Sequence, residues 1–208
     1  MEHQHHNVSA FDWDERYAEA DQMWSGEPNG VLVAEVAGLD PGRALDVGCG
    51  EGADALWLEA RGWAVTALDV SRVALDRAAE HASEQGVSTV RWLHTGLLEA
   101  ALPPGTFDLV SAQYFALPRT AGHAAERALL DAVAVGGVLL AVHHPAPTPE
   151  EAERHGFSAD QYIHVSDILE QLDDRWEVAT FESRPRHLLT GAGAGHTEDI
   201  VLRATRLR

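Results

Sequence analysis

Apolar positions fall along this chain in short blocks separated by stretches of helical spacing. The blocks ALDV (44–47), AVTAL (64–68), VRWL (90–93), FDLVSA (107–112) and VLLAVH (138–143) are too short for helices. Gly, Pro and acidic residues bound them, so they read as strands. Between them, residues 53–61, 72–85 and 124–135 place apolar side chains three and four apart and read as helices. Ser71 suits the N-cap of the second of these, and Gly62, Gly86 and the Gly136–Gly137 pair suit helix stops. Residues 166–172 predict a further short helix, and 176–181 and 200–204 two final strands. Strands alternating with helices imply a doubly wound, mostly parallel α/β sheet covered on both faces.

The segment before the first strand has a different character. Residues 11–24 predict a helix with Phe11, Tyr17 and Trp24 as its bulky positions, broken by SGEPNG, and 31–37 a second helix. One domain is expected over 1–208: a flexible tail at 1–10, a helical lid segment at 11–40, and an α/β core at 41–208. Between the last two strands, ESRPRHLLTGAGAGHTED predicts a flexible Gly-Ala loop.

Charge narrows the partners. The chain has 33 acidic residues against 15 basic ones, and every basic residue is Arg. Such a surface repels phosphate backbones and anionic lipid, so neither nucleic acid nor a membrane is expected as partner. Without Lys, a Schiff-base or P-loop lysine mechanism is excluded. The lone Cys49 permits no intramolecular disulfide. No apolar run approaches the roughly 20 residues that span a bilayer. The start, MEHQHHNVSA, lacks the apolar core of a signal peptide, so the cytoplasm is the expected setting. Its HQHH run reads as a solvated tail. The spacing of His143, His144, His155 and His164 matches no zinc pattern, so no metal is expected.

The chemistry concentrates in ALDVGCGEGA (44–53), a strand, a glycine-rich turn and the start of a helix. Glycines there allow a tight turn and a close backbone approach to a ligand. Asp69 ends the next strand, where a carboxylate can accept ribose hydroxyls. This fits a nicotinamide or flavin dinucleotide, with Gly48, Gly50 and Ala53 meeting the looser dinucleotide pattern. It fits S-adenosylmethionine equally. Asp46 and Glu51 decide between them: a pyrophosphate is repelled by both, whereas a sulfonium and an ammonium are not.

LDVGCGEG, VTALDVS and FDLVSAQY together resemble the class I S-adenosylmethionine-dependent methyltransferases, over roughly residues 44–142. The head WDERYAEADQMWSGEPNGVL is similar to the thiopurine and tellurite-resistance group of small-molecule methyltransferases. The resemblance implies a Rossmann-like, seven-stranded sheet with an antiparallel last strand. It implies S-adenosyl-L-methionine as cofactor, S-adenosyl-L-homocysteine as product, and a small-molecule acceptor with an S, Se, Te, O or N centre. Gly48, Cys49, Gly50 and Gly52 would pass under the cofactor, and Asp46 would support its ammonium. Asp69 would take the ribose hydroxyls, with Val70 beside the adenine and Leu97 at its edge. Gln113 would face the methionine moiety. The family often has an acid just before the position of Leu97; here it is Gly96. A NAD-dependent oxidoreductase and a catalytically silent cofactor-binding protein are the alternatives.

Open α/β sheets bind ligands at the carboxyl ends of their strands. That rule makes Tyr114, Phe115, His143 and His144 candidates for the acceptor site, with His144 and Tyr114 as catalytic groups. An ordinary His pKa suits a base at neutral pH. Trp13, Tyr17 and Trp24 are candidate lid residues. Arg184 and Arg186, with His187, form a basic cluster able to draw in an anionic acceptor.

Overall fold

A computed structural model describes residues 10–154, 158, 160–186 and 196–208. The tail with its HQHH run, His155, His187 and most of the Gly-Ala stretch lie outside the described residues, as does the side chain of Phe11.

The chain runs α1 (Ala10–Ala18), α2 (Gly30–Val36), β1 (Arg43–Val47), α3 (Ala53–Glu59), β2 (Ala64–Asp69), α4 (Arg72–Glu84) and β3 (Arg91–His94). It continues through β4 (Phe107–Gln113), α5 (Ala124–Ala132), β5 (Val133–His143), α6 (Pro149–Arg154), α7 (Val165–Glu170), β6 (Trp176–Pro185) and β7 (Glu198–Arg206). The seven strands form one sheet in the order β3-β2-β1-β4-β5-β7-β6. Neighbours from β3 through β5 are parallel, while β7 runs antiparallel to both β5 and β6.

Alternation along the central strands feeds two cores, one on each face. Leu45, Val110, Leu139 and Leu202 pack with Leu129 of α5 and Ile168 of α7. Their chain neighbours Ala44, Leu109, Leu140 and Val201 turn the other way, onto Leu32 of α2 and Leu56 and Leu58 of α3. Burial on both faces is why these strands read as nearly continuous apolar runs. Ser71 caps α4, its hydroxyl accepting the Ala74 amide.

Several boundaries differ from the sequence reading, β6 and β7 among them, which run over Trp176–Pro185 and Glu198–Arg206 instead of 176–181 and 200–204. Helix α5 stops at Ala132 instead of running to 135, and the strand begins at Val133, well before 138. The Gly136–Gly137 pair is a bulge inside β5: the register on β4 shifts between Phe107↔Val133 and Leu109↔Val138. A side chain at Gly137 would press on the carbonyls of Phe107 and Ala134, each 2.9 Å from its Cβ position. Helix α1 ends at Ala18, so Trp24 lies beyond it and returns by donating its indole N–H to the Tyr17 hydroxyl at 2.9 Å. Helix α7 starts one residue early, with the Asp167 carboxylate accepting the His164 amide at 2.7 Å.

The order of strands reverses between β1 and β4, and a crevice opens there at their carboxyl ends. Because β7 is antiparallel, its first residues share that edge: Ile200 pairs with His143, the last residue of β5. The topology thus brings the ends of β1, β2, β4 and β5 and the start of β7 to one place.

Candidate active site

The loop after β1 is tied to the end of β2. The amides of Gly48 and Cys49 both donate to the Leu68 carbonyl, at 2.8 and 3.0 Å, and the Gly50 amide donates to Asp69 Oδ2 at 2.8 Å. Gly48, Gly50 and Gly52 all take positive φ, at 72°, 52° and 87°. The three glycines serve different ends. A methyl at Gly52 would lie 2.8 Å from Ala78 Cβ and from the Trp92 ring, and one at Gly50 would lie 2.9 Å from the Tyr17 hydroxyl. A methyl at Gly48 would meet no protein atom within 4 Å, on a wall of the cavity described below.

Asp69 is buried, and its other oxygen accepts the Ser71 amide at 2.8 Å. Burial raises its pKa against those hydrogen bonds. Each oxygen has a second lone pair, and the side chain lines the cavity.

Glu51 is directed elsewhere. Its carboxylate accepts the amides of Met23 and Trp24, at 3.1 and 3.0 Å, and the Arg77 guanidinium at 2.9 Å. Arg77 also donates to the carbonyls of Tyr17 and Ala20. Asp54 accepts the Asn29 amide and its side-chain N–H, at 2.7 and 2.8 Å. Asp14 reaches back from α1 to accept the Ser71 hydroxyl at 2.6 Å. The acids around the glycine motif therefore strap residues 14–29 across the loop. Glu51, balanced by Arg77, gives no argument against a pyrophosphate, contrary to the sequence reading.

Beneath the strap is a cavity of about 820 Å³. Of the residues singled out from sequence, Trp13, Tyr17, Trp24, Asp46, Gly48, Cys49, Gly50, Gly52, Asp69, Val70, Leu97, Gln113, Tyr114, Phe115, His144, Arg184 and Arg186 all line it. Among the described residues, three buried acceptor atoms in its wall have no hydrogen-bond partner: Asp46 Oδ2, Gln113 Oε1 and Asp199 Oδ1. The Gln113 amide N–H donates to the Ser111 hydroxyl at 3.0 Å. Burial, then the charges of Asp54 and Asp69, push the Asp46 pKa well up. Burial and the nearby Asp46 also push the Cys49 thiol up, which leaves it a packing group and no nucleophile. At the β2–β3 end the wall is Val70, Gly96, Leu97 and Glu99. The Glu99 carboxylate sits in the notch where a side chain at position 96 would be.

The opposite end is aromatic. Tyr114 holds a φ of 50°, its amide fixed to the Val142 carbonyl at 2.8 Å and its hydroxyl donating to Asp199 Oδ2 at 3.0 Å. The His144 ring stacks on Tyr114 at 4.7 Å and on His196 at 3.5 Å. The Arg186 guanidinium lies over the Tyr114 ring at 4.3 Å, with Nη1 3.2 Å from the His144 ring nitrogens and 3.7 Å from Asp199 Oδ1. Phe115 meets His143 edge-on at 5.3 Å.

Two expectations change here. Burial, then His196, Arg186 and His143, lower the His144 pKa to about 3, so it does not titrate near neutrality. Arg184 is committed to Glu35 and Glu182, each at 2.6 Å, and its charge is balanced. The sequence reading missed Asp199, His196, Glu99 and the strap partners Arg77, Asn29 and Asp54. Among the described residues, no group of three or more His, Cys, Asp or Glu is placed to hold a metal. No described helix is long and apolar enough to cross a membrane.

Residues 44–137 match the family described as methyltransferase domain. An uncharacterized methyltransferase of Mycobacterium bovis is 35% identical over 91 residues, 43% of this chain and 45% of that protein. The chain thus spans under half the length of that relative. A 2-heptyl-1-hydroxyquinolin-4(1H)-one methyltransferase of Mycobacteroides abscessus is 38% identical over 69 residues, 32% of this chain and 30% of that one. Among solved structures, the N-methyltransferase NodS of Bradyrhizobium japonicum with S-adenosyl-L-homocysteine superposes with a TM-score of 0.72 at 17% identity, covering 96% of this chain and 100% of NodS. Residues 44–137 thus resemble a methyltransferase domain, and the whole chain shares the fold of NodS.

The cavity fits S-adenosylmethionine, the donor whose product S-adenosyl-L-homocysteine is bound in the NodS structure. Its orphaned acceptors Asp46 Oδ2 and Gln113 Oε1 call for a donor-bearing cation, and Gly48 leaves the loop open to a ligand lying against it. A pyrophosphate fits poorly. The N-terminus of α3 already carries Asp54 in its first turn, and among the described residues no cation stands on the neighbouring Asp46 and Asp69.

Proposed function

We propose that this protein is an S-adenosylmethionine-dependent methyltransferase acting on a small molecule, in the cytoplasmic setting the sequence suggests. One observation carries the reading: the unpartnered Asp46 oxygen, buried in the cavity wall beside the glycine loop. A buried carboxylate in that state is stabilised by a cationic ligand and repels an anionic one.

In this reading Asp46 and Gln113 hold the amino-acid end of the cofactor. Asp69 takes the ribose hydroxyls on its spare lone pairs, while its backbone bonds keep it in place. Val70 and Leu97 flank the adenine, and Glu99 accepts its amino group in place of the acid missing at position 96. The bound cofactor supplies an electrophilic methyl on a cationic sulfur. The chain's own contribution is alignment and exclusion of water, and the strap of residues 14–29 covers the site for both.

A small-molecule acceptor is supported by the strap and the β6–β7 edge, which both line the cavity, and by the acidic surface, which discourages nucleic acid. The aromatic end supports a flat acceptor. The Mycobacteroides abscessus relative, named for a quinolinone substrate, and the N-methyltransferase NodS agree with O or N as acceptor atom. Likeness of the head to the thiopurine and tellurite-resistance group favours S, Se or Te instead.

Calorimetric titration with S-adenosylhomocysteine tests the reading, with NADH fluorescence as the control. Saturable binding of the first and no enhancement of the second are expected. No heat at millimolar S-adenosylhomocysteine, or enhanced NADH emission, contradicts it. Binding without methyl transfer to any acceptor would mark a silent cofactor-binding protein.

A further inference from the structure

The aromatic end of the cavity has one buried acceptor atom that the cofactor reading leaves unused. Among the described residues Asp199 Oδ1 has no hydrogen-bond partner, and the side chain, only 4% exposed, lines the cavity. Its other oxygen is anchored by the Tyr114 hydroxyl, which fixes the direction of the carboxylate. The groups facing it are Tyr114 from the end of β4, His144 from the end of β5, Arg186 beyond β6, and His196 just before β7. The His144 ring is stacked on both sides and has the Arg186 guanidinium against its nitrogens. Arg186 Nη1 thus stands within hydrogen-bond distance of the His144 ring nitrogens, whereas it and His144 Nδ1 approach Asp199 Oδ1 only to 3.7 and 3.6 Å.

We propose that Asp199, and not His144, is the proton acceptor of the reaction, and that the acceptor substrate is a flat aromatic or heteroaromatic ring presenting an O–H or N–H to Asp199 Oδ1. This inference rests on the methyltransferase reading. Tyr114, Phe115 and His144 give this end of the cavity the aromatic lining among which such a ring would sit. As the acceptor oxygen or nitrogen forms its bond to the methyl carbon, the carbon–sulfur bond breaks and its electron pair stays on sulfur. The O–H or N–H proton passes to Asp199 Oδ1, giving a neutral carboxylic acid that returns the proton to water once product leaves. Burial raises the pKa of Asp199, in the direction a proton acceptor needs. Arg186 stabilises the negative charge that gathers on the acceptor atom as the proton departs. An acceptor that arrives already ionised has no proton to give, and would meet the Asp199 charge unfavourably.

The test uses the intact protein saturated with S-adenosylhomocysteine, titrated with 4-hydroxyquinoline, 8-hydroxyquinoline and 1-naphthol beside their O-methyl ethers. At least one hydroxy compound should bind at least roughly tenfold more tightly than its ether, the loss expected for one hydrogen bond to a charged acceptor. Asp199→Asn, checked for folding by thermal melt, should erase that preference. With S-adenosylmethionine, the same variant should lose the rise of kcat with pH shown by the parent. Equal binding of hydroxy compounds and ethers, no binding by any of them, or a preference unchanged in Asp199→Asn overturns the inference. Failure to bind S-adenosylhomocysteine in the first step sinks the methyltransferase reading instead.

Discussion

The Glu51 carboxylate, inside the glycine motif, receives the Arg77 guanidinium of α4 at 2.9 Å. The same carboxylate accepts two amides of the segment that covers the cavity. The glycine loop, the helix after β2 and the strap are thereby one mechanical unit. Arg77→Met leaves Glu51 buried without its cation, and should cost about 3 kcal/mol of stability by denaturant melt. Hydrogen exchange at the Met23 and Trp24 amides should accelerate in the same variant. Adding Glu51→Gln should restore part of the loss, because the uncompensated charge is gone. Unchanged exchange at both amides would show that the strap is held by other contacts.

The glycines should separate by consequence. Gly52→Ala combines a left-handed backbone with a collision against Ala78 and Trp92, and should cost roughly 3 kcal/mol. Gly48→Ala has only the backbone strain, about 1–2 kcal/mol. Its new methyl enters the cavity, however, so it should weaken S-adenosylhomocysteine more than it weakens the fold. Melts and calorimetry on the two variants check the contrast.

Stability should depend on pH through the buried histidines. Burial lowers His143 to about 4 and His144 to about 3, below the ordinary His value. Between pH about 6.5 and those values the unfolded chain binds protons that the folded one does not. Each ring therefore adds stability that is present above pH 6.5 and is lost as pH falls toward 4, by up to about 1.4 kcal/mol per pH unit. Buried Asp46, Asp54, Asp69 and Asp199, with raised pKa values, oppose this trend in acid. The comparison is accordingly with His144→Gln, whose melts should show a shallower loss from pH 6.5 to 4. Identical slopes would place the His144 ring in water.

Glu99 should discriminate the purine base. It lies in the notch above Gly96, at the cavity end lined by Val70 and Leu97. Glu99→Gln should weaken S-adenosylhomocysteine by several-fold, the size of one exposed hydrogen bond, and leave S-inosylhomocysteine unchanged. Calorimetry with the two ligands reads the difference. An equal effect on both would assign Glu99 to the surface.

Much of this was legible in the sequence, for a physical reason. Strands such as Leu45–Val47 and Leu139–Val142 are buried on both faces, and the turns between them need Gly, so local pattern and fold agree. The glycine loop and Asp69 were readable because backbone and ligand constrain the same few residues. What escaped depends on contacts far apart in sequence. Val133 follows the helical pattern without a break, and its pairing with Phe107 of β4 makes it strand. Glu51 looked like a ligand-facing acid because nothing local reveals that Arg77 and the Trp24 amide converge on it. Asp199 reads as one more polar residue after a Gly-rich stretch; only the antiparallel return of β7 sets it beside Tyr114 and His144.

Diffraction from crystals grown with S-adenosylhomocysteine measures the central claim most directly. The account predicts density for a nucleoside thioether against Gly48, with its ammonium on Asp46 and Gln113 and its ribose on Asp69. Density for a ligand elsewhere, or a cavity that takes up a dinucleotide pyrophosphate over the same loop, would contradict it.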